Sequence, residues 1–194
     1  MFKKITNNIV TRLVKNGEIT AEDKEIYEYG LRHIANMFIN VATTVLIGCI
    51  FNMIWHSLIF MISYIPLRSN AGGYHAKTPF RCYIFSVIMT VCFLLNVKYF
   101  PQNHILILIL ILISGITIFI LAPIGDENKP LDGIEIKVFK KRTRIILFIE
   151  IVLIGLFSLL TLTWIAICII TSMTIASFMV IIGFLIIKIN KIKV

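Results

Sequence analysis

A histidine and a cysteine seven residues apart occupy a short polar segment of this otherwise apolar chain. They are His75 and Cys82, and the pair Gly72-Gly73 lies just before the histidine. A cysteine sulfur is a strong nucleophile, and an imidazole can take up a proton and later return it. The two residue types therefore indicate covalent acyl transfer.

The residues before Cys82 predict that it lies in the first turn of a helix. Thr78 is a suitable N-cap, and Pro79 suits the first helical position. A helix N-terminus next to a basic residue, here Arg81, is a typical setting for reactive cysteines. A straight helix would put His75 about 10 Å along the axis from Cys82. The glycine pair allows the chain to fold back instead, which favours a shaped loop over a plain linker.

A structural account of the same residues stays open at this point. His75 could be an interfacial histidine that donates to a carbonyl, and Cys82 a small apolar residue at a helix start. A zinc site needs three or four ligands, and the other histidines are scattered along the chain, so we expect no metal and no cofactor. The remaining cysteines form no CxxC pair and lie in apolar runs; they are Cys49, Cys92 and Cys168.

Composition identifies the setting as a membrane. The chain has 194 residues, of which 58% are hydrophobic and 15% charged, with a mean hydropathy of +0.92. Soluble domains are about 45–50% apolar and about 25% charged. We predict an all-α integral membrane protein, a six-span helical bundle with its active site on the cytoplasmic side. The six apolar blocks are 34–51, 53–67, 82–100, 104–122, 145–163 and 164–187.

The distribution of positive charge predicts the topology. Of the nineteen basic residues, all but Lys98 fall on one side of the six spans, and the positive-inside rule assigns that side to the cytoplasm. Both termini are then cytoplasmic. The predicted organisation is interfacial helices at 1–33, a membrane domain at 34–187 with cytoplasmic loops at 68–82 and 123–144, and a tail at 188–194.

The net charge of +9 has two readings. Basic residues at a membrane surface contact anionic lipid, and they can also bind an acidic partner; we expect no nucleic-acid partner. The densest basic cluster is a candidate site for the tail of a substrate, and its members are Lys137, Lys140, Lys141, Arg142 and Arg144. Glu150, the only carboxylate within a predicted span, is a functional candidate by its position. We expect it to reach the interface and pair with Arg144.

The polar segment carries a family resemblance. The order of Arg68, Gly72-Gly73, His75 and Cys82 between two apolar blocks resembles the motif of the AgrB family, the accessory gene regulator B proteins of Gram-positive quorum sensing. The six-span outline is similar too. A basic loop with Ala122-Pro123 and an Asn-Lys-Pro sequence at 128–130 extends the likeness over most of the chain.

The resemblance implies a membrane cysteine endopeptidase that removes the C-terminal tail of an AgrD-type precursor peptide. It implies that Cys82 is the nucleophile and His75 its base. Arg68, Gly72 and Gly73 are then supporting residues that form an oxyanion site or bind substrate. A thioester on the enzyme would be captured by a cysteine of the precursor, giving the thiolactone of the autoinducing peptide. The resemblance also implies a homodimer.

Three points stay open at the level of sequence. No third catalytic residue can be assigned; the candidates are Asn70, Asp126, Glu127 and Asp132. A small peptide transporter or exporter is an alternative, although the spans lack the paired broken helices of transport pathways. A non-catalytic membrane scaffold, in which His75 and Cys82 are structural, is the other alternative.

Overall fold

The computed structural model describes residues 2–20, 22–74, 78–101, 103–125 and 131–192. The regular structure of these residues is helical, apart from a single parallel bridge between Gly72 and Ile124. This confirms the all-α prediction for the described part of the chain. The helices are α1 (Phe2–Lys15), α2 (Lys24–Ile50), α3 (Ile54–Ala71), α4 (Pro79–Lys98), α5 (His104–Leu121), α6 (Gly133–Leu159) and α7 (Thr163–Ile192).

The chain divides into two compact units, Met1–Thr43 and Thr44–Val194. The first unit contains α1, which ends where Gly17 adopts a φ of 73°. It also contains the first part of α2, where Glu28 pairs with Lys24 and Arg32 one turn away on either side. The helix α2 is continuous from residue 24 to residue 50.

Each of the six apolar blocks corresponds to one of the helices α2 to α7. Among the described residues, three helical stretches are long and apolar enough to cross a membrane: Lys24–Ile50, Phe80–Lys98 and Thr163–Ile189. Ile105–Leu121 is apolar but shorter. The helix α6 begins at Gly133, well before the apolar block at 145–163, because Asp132 and Glu135 form a capping box at its start. The protein is a membrane protein.

Helix α7 is central to the second unit and contacts α3, α4, α5 and α6. Its buried face carries several small side chains, among them Ala166, Ser172 and Ala176. Small residues let helices approach closely within a membrane. Leu67 of α3 and Leu147 of α6 pack in one core cluster with Met173 and Val180 of α7. The cluster adjoins the polar segment that follows α3, because it includes Ala71 at the end of that helix and Val180, whose backbone lies close to Gly73.

Glu150 is buried between helices, and the prediction that it extends outward and pairs with Arg144 is wrong. The glutamate is only 4% exposed, and its Oε1 accepts a hydrogen bond from Ser63 Oγ of α3 at 2.8 Å. The guanidinium of Arg144 lies 4.1 Å from the ring centroid of Phe119 on α5. Arg144 and Glu150 are six residues apart, a spacing that puts their side chains about 120° apart around the helix axis. They therefore lie on different faces of α6.

Candidate functional site

The polar segment begins where α3 ends, at a glycine with left-handed backbone geometry. Gly72 has a φ of 69°, and its N–H donates to the carbonyl of Arg68 at 3.2 Å. Residues with a Cβ rarely adopt this conformation. The chain can therefore leave the helix and turn sharply at this position.

Three backbone hydrogen bonds hold residues 71–74 between two distant segments. Ile124 N–H, in the stretch after α5, donates to the Ala71 carbonyl at 2.9 Å, and Gly73 N–H donates to the Ile124 carbonyl at 3.3 Å. Tyr74 N–H donates to the carbonyl of Met179 in α7 at 3.1 Å. We call residues 72–74 the clamped segment.

The clamped segment has no room for side chains at its first two positions. A Cβ on Gly72 would collide with the carbonyl oxygen of Ile124. A Cβ on Gly73, where φ is 115°, would lie 2.7 Å from the carbonyl oxygen of Met179. The glycine pair thus belongs to a shaped loop, as predicted, and both positions need a residue without a Cβ.

Arg68 reaches over the clamped segment from the last turn of α3. Its Nη1 donates to the Gly72 carbonyl and its Nη2 to the Tyr74 carbonyl. The guanidinium also interacts with the hydroxyl of Tyr64, one turn earlier on the same helix face. A planar fork of donors suits two carbonyls at a fixed spacing. The geometry shows Arg68 as a brace for the backbone just before residue 75.

Cys82 lies in the first turn of α4, as predicted. Thr78 has extended backbone geometry, and its side-chain oxygen accepts from Arg81 N–H at 3.3 Å. Pro79 begins the helix, and Cys82 N–H donates to the Thr78 carbonyl at 3.0 Å. Cys82 is a free, partly exposed cysteine, whereas Cys168 is buried.

The clamped segment lies against the face of α4 that carries Cys82. The Tyr74 ring contacts the Phe85 ring edge-on, with the centroids 5.8 Å apart. Phe85 is three residues after Cys82 and therefore shares its helix face. The structure thus brings Arg68, the clamped segment and Cys82 together. His75 lies outside the described residues.

The candidates for a third catalytic residue have local roles where the structure describes them. Asn70 Nδ2 donates to the Pro66 carbonyl at 2.8 Å within α3. Asp132 caps α6. Asp126 and Glu127 lie outside the described residues. In the described ranges, no group of three or more His, Cys, Asp or Glu side chains is placed to hold a metal ion.

The basic cluster on α6 surrounds a depression in the protein surface. Four of its five members line a shallow depression of about 470 Å³ together with Ile145 and Phe148. Arg142 is exposed and does not line the depression. The lining cations are Lys137, Lys140, Lys141 and Arg144.

Several residues of the site could not be inferred from the motif. Tyr64 had a weak signal, since it is four residues before Arg68 and so shares its helix face. Ile124 and Met179 had none, because each meets the clamped segment through its backbone. A backbone contact leaves no mark in residue type unless a side chain is missing.

Comparisons with known proteins agree on one family. A family model described as "Accessory gene regulator B" (AgrB) matches residues 6–188. The putative AgrB-like protein 2 of Clostridium perfringens (strain 13 / Type A) is 28% identical over 177 residues, covering 81% of this chain and 79% of the relative. A putative AgrB-like protein of C. perfringens (strain SM101 / Type A) is 31% identical over the same shares. The accessory gene regulator protein B of Staphylococcus aureus (strain bovine RF122 / ET3-1) is 29% identical over 130 residues, or 66% of this chain and 67% of the relative. No solved structure matches the chain.

Proposed function

The chain belongs to the accessory gene regulator B family, and on that premise we propose that it is a membrane cysteine endopeptidase of a quorum-sensing system. Its substrate is an AgrD-type precursor peptide, from which it removes the C-terminal tail. One observation carries the proposal: the backbone that leads to His75 is braced by Arg68 and lies against the helix face of Cys82.

The proposed reaction uses Cys82 and His75. As the Cys82 sulfur attacks the carbonyl carbon of the scissile peptide bond, His75 accepts the thiol proton. The imidazolium then donates that proton to the departing amine, the C–N bond breaks, and the tail leaves with a free N-terminus. The rest of the precursor stays on Cys82 as a thioester.

A second exchange releases the product. A cysteine thiolate within the bound precursor attacks the thioester carbonyl, which forms a thiolactone and returns the Cys82 thiolate. One carbon–sulfur bond forms as another breaks, so the step needs no cofactor and no other energy source. Water would compete with the internal cysteine, and a site shielded by the membrane surface disfavours that side reaction.

Arg68 and the glycine pair act by positioning in this proposal. Two carbonyls of the clamped segment already occupy the guanidinium, which supports a bracing role over direct contact with the oxyanion. Placing a base to within a fraction of an ångström matters, because a misplacement of about 1 Å can cost about 10²-fold in rate.

We further propose the topology and the partners. The helices α2 to α7 are six spans, both termini are cytoplasmic, and the site faces the cytoplasm beside anionic lipid. The organisation is that predicted from the sequence, with domains at 1–33, 34–187 and 188–194, and the protein is a homodimer. The basic cluster on α6 binds an acidic tail of the precursor.

The proposal is tested with purified enzyme in lipid vesicles and a synthetic precursor. Cys82→Ala and His75→Ala should each abolish cleavage, whereas the matched change Cys92→Ala, in the same helix, should leave it intact. A precursor without its ring-forming cysteine should accumulate as an adduct of wild-type enzyme that hydroxylamine releases. Cleavage by the Cys82→Ala variant would refute the proposal of a cysteine endopeptidase. The peptide exporter and the non-catalytic scaffold would then be the remaining hypotheses.

A further inference from the structure

Helix α7 contacts the clamped segment at Gly183, where the two backbones touch directly. A Cβ on Gly183 would lie 2.8 Å from the Cα and carbonyl carbon of Gly73 and 2.8 Å from the amide nitrogen of Tyr74. Met179, one turn earlier on the same face of α7, accepts the Tyr74 N–H. The two chains can approach so closely here because the facing residues, Gly183 and Gly73, both lack a Cβ.

Gly183 lies in the interior of a long helix, where glycine weakens helical structure. Among the other helical glycines, Gly48 of α2 also has a close contact, with the side chain of Ser57 in α3, whereas two glycines of α5 and α6 have none. A Cβ on Gly155 of α6 or on Gly115 of α5 would have no atom within 4 Å. The absence of a side chain at position 183 therefore has a specific structural use, which is to admit the clamped segment.

We propose that Gly183 is a positioning residue of the catalytic site, and that the turn of α7 from Met179 to Gly183 sets where the backbone entering His75 lies. This inference rests on the proposed function. Tyr74 is bonded to His75 through a rigid peptide unit, so a displacement at Gly73 and Tyr74 passes directly to the base. The Tyr74 ring simultaneously contacts Phe85, on the face of Cys82. The turn of α7 from Met179 to Gly183, which we call the α7 platform, thus holds the backbone that precedes the base against the helix of the nucleophile.

The test compares Gly183→Ala with Gly155→Ala. Alanine is the better helix former at both positions, so a loss confined to Gly183→Ala cannot come from helix propensity. We expect kcat for precursor cleavage to fall by about 10- to 100-fold in Gly183→Ala, with KM changed less than about twofold. Gly155→Ala should match the wild type in both constants.

A second readout separates positioning from general damage. The rate at which iodoacetamide alkylates Cys82, followed by mass spectrometry across pH, reports the influence of His75 on the thiol. Gly183→Ala should shift this profile toward that of His75→Ala, and adding Gly183→Ala to His75→Ala should cause no further change. A further change in the double variant would mean that Gly183 acts by another route and would overturn the proposal.

The possible failures are distinguishable. Wild-type kcat in Gly183→Ala, together with an inactive Cys82→Ala enzyme, would overturn the role of Gly183 and leave the protease intact. An active Cys82→Ala enzyme would overturn the protease itself. If the Gly183→Ala variant does not insert into membranes, amide hydrogen exchange of the wild-type protein tests the contact instead. The Gly73 and Tyr74 amides should exchange as slowly as helical amides. Rapid exchange would refute the proposal that the α7 platform holds this segment.

Discussion

The side chain of Arg68 donates a hydrogen bond to the main-chain carbonyl of Tyr74, six residues further along the chain. The same guanidinium is bonded to the Gly72 carbonyl, so the arginine closes a small ring of chain onto the end of α3. Two donors in one rigid plane fix both the position and the tilt of the enclosed backbone. Any motion of that backbone must break a charge-assisted hydrogen bond.

The first prediction concerns the shape of this donor group. Arg68→Lys keeps the positive charge but replaces a planar fork with a single ammonium group, which cannot hold two carbonyls in the same geometry. We expect at least a tenfold loss of kcat, measured with the synthetic precursor. Arg81→Lys, next to Cys82 but exposed, is the control and should change kcat less than twofold. Equal activity of Arg68→Lys and wild type would show that charge alone suffices.

The second prediction concerns the glycine at the end of α3. Gly72→Ala imposes both an unfavourable φ and a collision with Ile124. Gly17→Ala imposes a similar φ of 73° in open space and should cost about 1 kcal/mol. We expect Gly72→Ala to lower the thermal unfolding temperature more than Gly17→Ala does and to abolish cleavage. Similar shifts in the two variants would mean that the segment moves aside without cost.

The third prediction concerns the basic depression on α6. Exposed ion pairs contribute about 0.2–1 kcal/mol each and weaken with salt, so several are needed to hold an acidic tail. Changing Lys137, Lys140, Lys141 and Arg144 together to Gln should raise KM and remove its salt dependence. Arg142→Gln, outside the depression, should have a smaller effect than any lining residue. A correctly inserted fourfold variant with unchanged KM would exclude this surface as the tail site.

The fourth prediction concerns sidedness. Single cysteines introduced at Lys77 and Lys137, in a background lacking other accessible cysteines, should react with an impermeant thiol reagent only from the cytoplasmic side. A cysteine at position 98 should react from outside intact cells, because the positive-inside rule puts Lys98 on the side of the membrane opposite the other basic residues. Labelling of position 137 from outside would invert the topology and place the site in the wrong compartment.

Local patterns predicted the parts of this structure that local interactions determine. Long apolar runs gave the helices because an unpaired backbone is too costly in lipid. The cap of α4 followed from Thr78 and Pro79 alone. The partner of Glu150 was predicted wrongly, because a neighbour along the chain was chosen where the structure supplies Ser63 from another helix. The contact of Gly183 with Gly73 could not be predicted from local patterns, since more than a hundred residues separate the two glycines along the chain.

The anchoring of Tyr74 to α7 has a consequence for how the protein is made. The ribosome completes α3 and α4, with the motif that contains Cys82, before it synthesises α7. The carbonyl of Met179, which accepts the Tyr74 N–H, belongs to α7 and is synthesised later. A nascent chain that contains α3 and α4 but not α7 therefore lacks this anchor, and under the proposed function its Cys82 thiol becomes competent for cleavage only after α7 has inserted beside α3 and α4.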